Sequence, residues 1–321
     1  MRFVFRADAS SITGSGHVMR LSAIAEEAIA RGFETIFVGE IKDLDWVKTH
    51  IMKVGFASII ESINSFKSNP ESDLLILDSY HIPKNNSFIQ PENWLNVISL
   101  TDNQTPDYKS NLRIHTGLSK DWYSGATENF LYGKEFIPLR KSIKKRVRRK
   151  LTPGGKAINV VVTGGGADPY NFCKSLSKAL LDIQGNFTIN FITNDSEIAD
   201  LDSRFSVTPI GAITEDDFGT IDLAFTTAST SSLEFIAREI PIGISCAVEN
   251  QEIYYHSIHQ HGVGACIGMR ISTSEWAFDL MVIRELLTSE FVREKLQRKC
   301  SEFIDFNGAS RIIDEILSIR K

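Results

Sequence analysis

Several things are scarce or missing, and each narrows what the chain can be. Its four cysteines, Cys173, Cys246, Cys266 and Cys300, form no C-x-x-C pair, which points away from both a zinc site and a disulfide framework. No apolar stretch approaches the ~18 residues of a membrane span, so no stable membrane insertion is expected. Arg2, Arg6 and Asp8 break the first apolar run, which is not the pattern of a signal peptide. Lys and Arg number 35 against 40 Asp and Glu, a formal net charge of -5, which argues against a general nucleic-acid binder. There is no G-x-x-x-x-G-K-[ST] P-loop, and the loop "GSGHVM" lacks the third glycine of the dinucleotide fingerprint. The Asp43-Leu44-Asp45 segment matches an acidic metal-binding pattern formally but reads as the polar first turn of a helix. The expectation is a cytoplasmic enzyme with a small-molecule substrate and no metal or cofactor.

What is present is a repeated alternation. "FVF", "ETIFVG", "DLLILDSY" and "NVISLTD" are short, β-branched or aromatic runs bounded by polar residues, the signature of buried strands. Between the first two, Val18, Leu21, Ile24, Ala25, Ala28 and Ile29 form one apolar helical face that Gly32 ends. "DLDWVKTHIMKVG" reads as a second helix. After a basic run from Arg140 to Lys150 and the Pro153-Gly154-Gly155 break, the pattern restarts with "AINVVVTGGGADP", "FTINFITN", "TIDLAFTTAST" and "IPIGISCAV", ending in helical stretches over about 275–320. The 321 residues suit two domains. The boundary is expected near 150, with residues 1–150 one α/β, Rossmann-like domain and 151–321 another, the two facing a cleft. The basic run reads as a solvated helix face or linker. A monomer is expected, because a two-domain cleft enzyme needs no partner.

Ligands of open parallel sheets bind at the carboxyl ends of the strands. Three small-residue loops leave such ends: "DASSITGSGH" with Gly14 and Gly16, "TGGGADP" with Gly164, Gly165 and Gly166, and "TTASTSSLE" with Ser231, Ser232 and Glu234. Glycine admits close backbone approach, and amides at a helix start favour an anion. Three such loops suggest a diphosphate. His17 falls at the start of a helix, where the macrodipole disfavours imidazolium and suits a general base; alternatively it packs against the sheet or bonds a carbonyl. Asp78 and Tyr80 end another strand and either reach the same cleft or, for Asp78, cap a turn. His81 reads as a surface loop residue. Glu234 either accepts from a ribose diol or faces solvent, and Asn250, ahead of Gln251, either serves the substrate or caps the next helix.

The segments "FRADASSITGSGHVMRLSAIA", "LILDSYHI", "VVVTGGGADPYN", "SSLEFIA" and "ENQ", in this order, resemble the UDP-sugar hydrolases of pseudaminic acid biosynthesis, which remove UDP from a UDP-2,4-diacetamido-2,4,6-trideoxy sugar. The resemblance covers residue 1 to about 265, and its specific part is the element that runs from Arg6 and Asp8 to Gly14, Gly16 and His17. It implies a fold of the two-Rossmann-domain (GT-B) glycosyltransferase type and a metal-independent, inverting hydrolysis at the C1–O bond. By that resemblance His17, Tyr80 and Asn250 are catalytic, Glu234 binds the uridine, and the Gly164 and Ser231 loops contact the diphosphate. A glycosyltransferase on the same fold, with His17 deprotonating an acceptor hydroxyl, is the competing reading. A non-catalytic nucleotide-sugar binder is the third.

Overall fold

Uninterrupted apolar strands need cover on both faces, and the helices between them provide it. The computed structural model describes residues 1–79, 82–83, 85–101, 108–118, 129–144, 157–273 and 275–319. The chain divides into two compact units, Met1–Lys141 with Phe306–Lys321, and Ser142–Asp305. Tyr80, His81, the segment 145–156 that holds most of the basic run, and the expected boundary near 150 lie outside the described residues.

The first unit contains β1 (Arg2–Arg6), β2 (Ala9–Ser10), α1 (Gly16–Ala30), β3 (Glu34–Val38), β4 (Ile41–Lys42), α2 (Asp45–Val54), β5 (Ser58–Ile60), β6 (Asp73–Leu77), β7 (Asn96–Thr101), β8 (Leu112–His115) and β9 (Phe130–Tyr132). Seven of these strands form one sheet in the order β5-β3-β1-β6-β7-β8-β9, every neighbour parallel. Alternate side chains go to opposite faces. Phe3 and Phe5 meet Phe33 and Phe56, whereas Val4, Leu75, Leu77 and Val97 pack with Trp94.

The second unit repeats the plan with β10 (Ile158–Thr163), α3 (Phe172–Leu180), β11 (Phe187–Ile192), β12 (Phe205–Thr208), β13 (Leu223–Thr227), α4 (Thr230–Ala237), β14 (Ile242–Cys246), α5 (Glu252–His261), β15 (Ala265–Arg270), β16 (Trp276–Phe278), α6 (Leu280–Thr288) and α7 (Glu290–Cys300). Its sheet order is β12-β11-β10-β13-β14-β15-β16, parallel except for β16, which runs antiparallel to β15. Val160 and Val162 pack with Phe172, Leu176 and Leu180 of α3 and with Ile283 and Leu286 of α6. In both sheets the strand order reverses direction beside the first strand, between β1 and β6 and between β10 and β13. Ligand crevices form at that point, at the carboxyl ends.

The end of the chain departs from expectation twice. Trp276–Phe278 is a strand within the tract expected to be helical; Trp276 packs on Phe172 and donates its indole N–H to the Tyr170 carbonyl at 3.2 Å. The last helix, α8 (Gly308–Ser318), belongs to the first unit and not to the second. Arg31, just past α1, bonds Asp314 at 2.5 Å and the Ser310 hydroxyl at 2.7 Å, and Arg311 donates to the Glu135 carbonyl at 3.0 Å. Gly308 lies so close to the Ile137 backbone that a Cβ there would stand 2.0 Å from its carbonyl oxygen. Among the described residues no helix is long and apolar enough to cross a membrane.

Candidate active site

The switch point of the first sheet is where the chain concentrates buried charge. After β1 the backbone tightens into a turn: Gly14 donates to the Ser10 carbonyl at 2.8 Å with a φ of +79°, a conformation glycine adopts without steric cost. Helix α1 then starts at Gly16, and its second residue is His17. Opposite, β6 ends at Leu77 and is followed by Asp78, whose amide donates to the Arg6 carbonyl at 3.0 Å. This bond holds Asp78 against the end of β1.

His17 Nδ1 lies 2.5 Å from Asp78 Oδ1. Arg20, one helical turn beyond His17, donates from Nε to Asp78 Oδ2 and from Nη2 to Asp78 Oδ1, both at 3.0 Å, and from Nη1 to Thr116 Oγ1 at 3.2 Å. Burial pushes the Asp78 carboxyl up, but the charges and hydrogen bonds of Arg20 and His17 outweigh it and bring it down to about 2. Asp78 is therefore a carboxylate and only accepts, so Nδ1 of His17 carries the proton. Arg20 Nη2 also comes within 3.1 Å of Nδ1; with Nδ1 protonated that is proximity, and the Nη2 proton goes to Asp78. In neutral His17, Nε2 is then the nitrogen that accepts a proton. The side chain of His17 is 14% exposed and that of Asp78 is 1% exposed, so the imidazole reaches the surface while the carboxylate orients it from below.

Arg6 and Asp8, which open the element that ends in His17, are engaged with each other. Arg6 grips Asp8 with both Nη atoms at 2.6 Å, and Asp8 Oδ1 also accepts from the Glu40 amide at 2.8 Å. This pair ties the end of β1 to the β3–β4 turn.

In the second unit the switch point joins the other two small-residue loops. A Cβ on Gly165 would stand 3.9 Å from Ser229 Oγ, so the loops after β10 and β13 are neighbours. Gly164 has no room for a side chain, since its Cβ would fall 1.9 Å from Asp168 Oδ1, and Gly165 has a φ of +94°. The Asp168 carboxylate accepts from the amides of Phe172 at 2.8 Å and Cys173 at 3.0 Å. Burial pushes its carboxyl up against these bonds. The loop thus caps α3 itself, spending two amides that the sequence alone leaves open to an anion. Gly166 lies half-buried in the same loop. Ser232 is buried and donates to the Ser229 carbonyl at 2.6 Å, while Ser231 beside it is partly exposed. Glu234 sits on α4 with its carboxylate 3.7 Å from Arg238 Nη1, and buried Arg238 is held by Glu215 through two bonds of 2.9 and 2.6 Å. Further along the sheet, a cavity of about 510 Å³ opens at the ends of β14 and β15, lined by 246–249, Glu252 and 269–273. Asn250 follows directly, and Gln251 accepts from the Ala247 amide at 2.9 Å.

The structure thus joins His17 to Asp78, Gly164 to Asp168, and Gly165 to Ser229. Among the described residues no group of three or more His, Cys, Asp or Glu side chains is placed to hold a metal ion. Sequence reasoning missed Arg20, Thr116 and Asp168. Arg20 left one signal: it falls a helical turn from His17, on the same side of α1.

These features define a two-unit α/β fold of the glycosyltransferase GT-B type. No family model and no curated protein matches the chain. Solved structures match over nearly its whole length. MurG of Acinetobacter baumannii superposes with a TM-score of 0.64 at 13% identity, covering 99% of this chain and 100% of its own. MnaA of S. aureus, solved with UDP, gives 0.59 at 10% identity over 98% and 96%. The glycosyltransferase SsfS6 of Streptomyces sp. SF2575, solved with thymidine diphosphate, gives 0.57 at 12% identity over 98% and 99%. At such identities the likeness establishes the fold.

Proposed function

We propose that this chain is an enzyme that breaks the C1–O bond of a nucleotide-diphosphate sugar, with His17 as the base that takes the proton of the incoming oxygen nucleophile. The observation that carries the reading is the His17–Asp78 pair at the sheet's switch point, with Nδ1 protonated and held so that Nε2 is the accepting atom. General-base help of this kind contributes ~10²–10⁴ in rate. The first unit supplies the base. The glycine and serine loops of the second unit supply the nucleotide contacts, with Glu234 on the ribose. Backbone amides and helix ends stabilise the leaving diphosphate, as in other preorganised anion sites. Tyr80 and Asn250 are assigned to the reaction by resemblance.

Two nucleophiles fit this base. An acceptor hydroxyl makes the chain a glycosyltransferase, and that reading draws support from the fold it shares with SsfS6, a glycosyltransferase solved with a nucleoside diphosphate. Water makes it a hydrolase, and the R-A-D-A-S-x-x-x-G-S-G-H element supports that reading through its resemblance to UDP-sugar hydrolases. Fold by itself does not select between them. The experiment is incubation with a panel of UDP- and TDP-sugars, with and without alcohol acceptors, followed by assay of free nucleotide and free sugar. Release of both without acceptor assigns hydrolysis, and release only with acceptor assigns transfer. His17→Asn should lower either by at least ~10². No release from any donor, or near-normal release in a folded His17→Asn chain, refutes the proposal.

A further inference from the structure

Arg238 is as buried as a core residue, with 3% of its surface exposed, yet it stands just past α4, one helical turn after Glu234. Burying an arginine is costly unless its charge and donors are used. Here each part of it is. Its Nε and Nη2 form a two-bonded fork with the Glu215 carboxylate, at 2.9 and 2.6 Å. Its guanidinium lies over the ring of Phe218, 4.0 Å from the centroid, and that ring meets Phe235 of α4 edge-on at 5.8 Å. The remaining nitrogen, Nη1, donates to the Glu234 carbonyl at 3.2 Å and lies 3.7 Å from Glu234 Oε2.

Glu215 and Phe218 come from one short turn between β12 and β13. Asp217 fixes that turn by accepting from the Thr214 amide at 2.7 Å and from the Thr214 hydroxyl at 2.8 Å. Glu215 Oε1 also accepts from the Lys144 amide at 3.2 Å. The guanidinium plane is thus set from two sides, by the carboxylate fork along its edge and by the ring against its face.

A carboxylate that bonds sugar hydroxyls must keep its plane, and a glutamate free to rotate loses that freedom on binding. With Nε and Nη2 taken by Glu215, Arg238 offers Glu234 a single nitrogen. That restrains the Glu234 carboxylate without closing on it as a second fork. With the Glu215 fork weakened, the guanidinium can turn a paired N–H edge towards Glu234 and withdraw that carboxylate from a ligand.

We propose that Arg238, held by Glu215 and Phe218, is a positioning residue for Glu234: it presets the Glu234 carboxylate for the ribose hydroxyls of the nucleotide. This rests on the assignment of Glu234 to the ribose. The turn between β12 and β13 thereby sets how strongly those hydroxyls are felt.

The test is calorimetry with two ligands, UDP or TDP, whichever the parent chain binds more tightly, and the 2′,3′-dideoxy analogue of the same diphosphate. The ratio of the two affinities isolates what the sugar hydroxyls contribute, and a merely structural role for Arg238 would weaken both ligands alike. Glu215→Gln keeps the shape of the carboxylate and one of the two bonds, on a side chain that is 27% exposed. Arg238→Lys keeps the charge and loses the fork. In the parent the ratio should be about tenfold or more, and Glu234→Ala should abolish it. Glu215→Gln and Arg238→Lys should each lower it by about three- to tenfold, the worth of one side chain left to be immobilised by the ligand, with the affinity for the dideoxy analogue unchanged. Adding Glu215→Gln to Glu234→Ala should change nothing further. A ratio within about twofold of the parent's in folded Glu215→Gln, or equal weakening of both ligands, overturns the proposal while the ribose assignment stands. If Arg238→Lys does not fold, Glu215→Gln decides alone. A parent ratio that survives Glu234→Ala overturns the ribose assignment and this proposal with it.

Discussion

Asparagine in place of Asp78 keeps the side chain's shape and removes its charge, so it isolates what the carboxylate does. Asp78 takes three charged or polar donors, His17 Nδ1 at 2.5 Å and two nitrogens of Arg20 at 3.0 Å. Its carboxyl stands at about 2 against an ordinary 3.8. A depression of just under two pH units is on the order of 2 kcal/mol of interaction with the charged form. An amide offers one oxygen and one NH₂. If the oxygen takes Arg20, the NH₂ faces Nδ1 and selects the tautomer with its proton on Nε2, which cannot accept another. If the oxygen takes His17, the NH₂ opposes the guanidinium donor against donor. Either way buried Arg20 loses a charged partner, and breaking a buried pair costs roughly 3–5 kcal/mol when one partner is removed outright. Asp78→Asn should therefore lower stability in urea by about 2–4 kcal/mol, the retained bond sparing part of that cost. Turnover should fall by ~10²–10⁴, the effect of a wrong tautomer in an Asp–His pair, with nucleotide affinity unchanged. The assays are urea unfolding, calorimetry with the nucleotide alone, and kcat at saturating donor. A folded Asp78→Asn chain whose turnover stays within roughly tenfold of the parent, below the smallest general-base contribution, would refute the reasoning.

Three further outcomes are expected. Glu234→Ala should weaken nucleotide binding about tenfold or more in calorimetry, the worth of a charged hydrogen bond or two, while the melting temperature holds because Glu215 still grips Arg238; unchanged affinity removes Glu234 from the site. Gly164→Ala places a Cβ 1.9 Å from Asp168 Oδ1 and should expel the cap from α3, costing on the order of 0.5–2 kcal/mol in urea unfolding; an unmoved midpoint contradicts that geometry. The Asp78 carboxyl is lower in the folded chain than in the unfolded one, so the unfolded chain takes up protons first as the pH falls. The stability Asp78 contributes is complete above about pH 4 and lost towards pH 2, so Asp78→Asn should decline less steeply than the parent over that range in urea titrations, and parallel curves would exclude the contribution.

The central strands β1, β6, β7, β13 and β14 were legible from sequence because they are buried almost throughout. A strand covered on both faces must be apolar at nearly every position. The edge strands β5, β9 and β12 are only three or four residues long, carry half-exposed patterns, and went unread. Strand β16 sits in a stretch expected to be helical, and its conformation follows from Trp276 docking on Phe172 and Tyr170. Likewise, the amphipathic pattern of α8, with Ala309, Ile312, Ile313 and Ile316 buried, calls for a helix but does not say which unit receives its apolar face.

The candidate site divides in the same way. His17 stood out because a glycine loop followed by a helix start is a local pattern, complete within a few residues. Gly164 and Gly165 were visible for the same reason. Arg20 was not, since an arginine within a helix reads as a solvent-facing charge; its burial and its grip on Asp78, 58 residues away in the chain, exist only once β1 and β6 are neighbours. The role of Asp168 was hidden inside "GGGADP", because capping α3 depends on a φ of +46° at that residue and on where the helix begins. Sequence by itself determined the alternation of elements, the two-domain plan and the loops at strand ends, since local periodicity encodes them. The tertiary structure alone decided which carboxylate meets which cation, because those charges find each other only when distant segments pack.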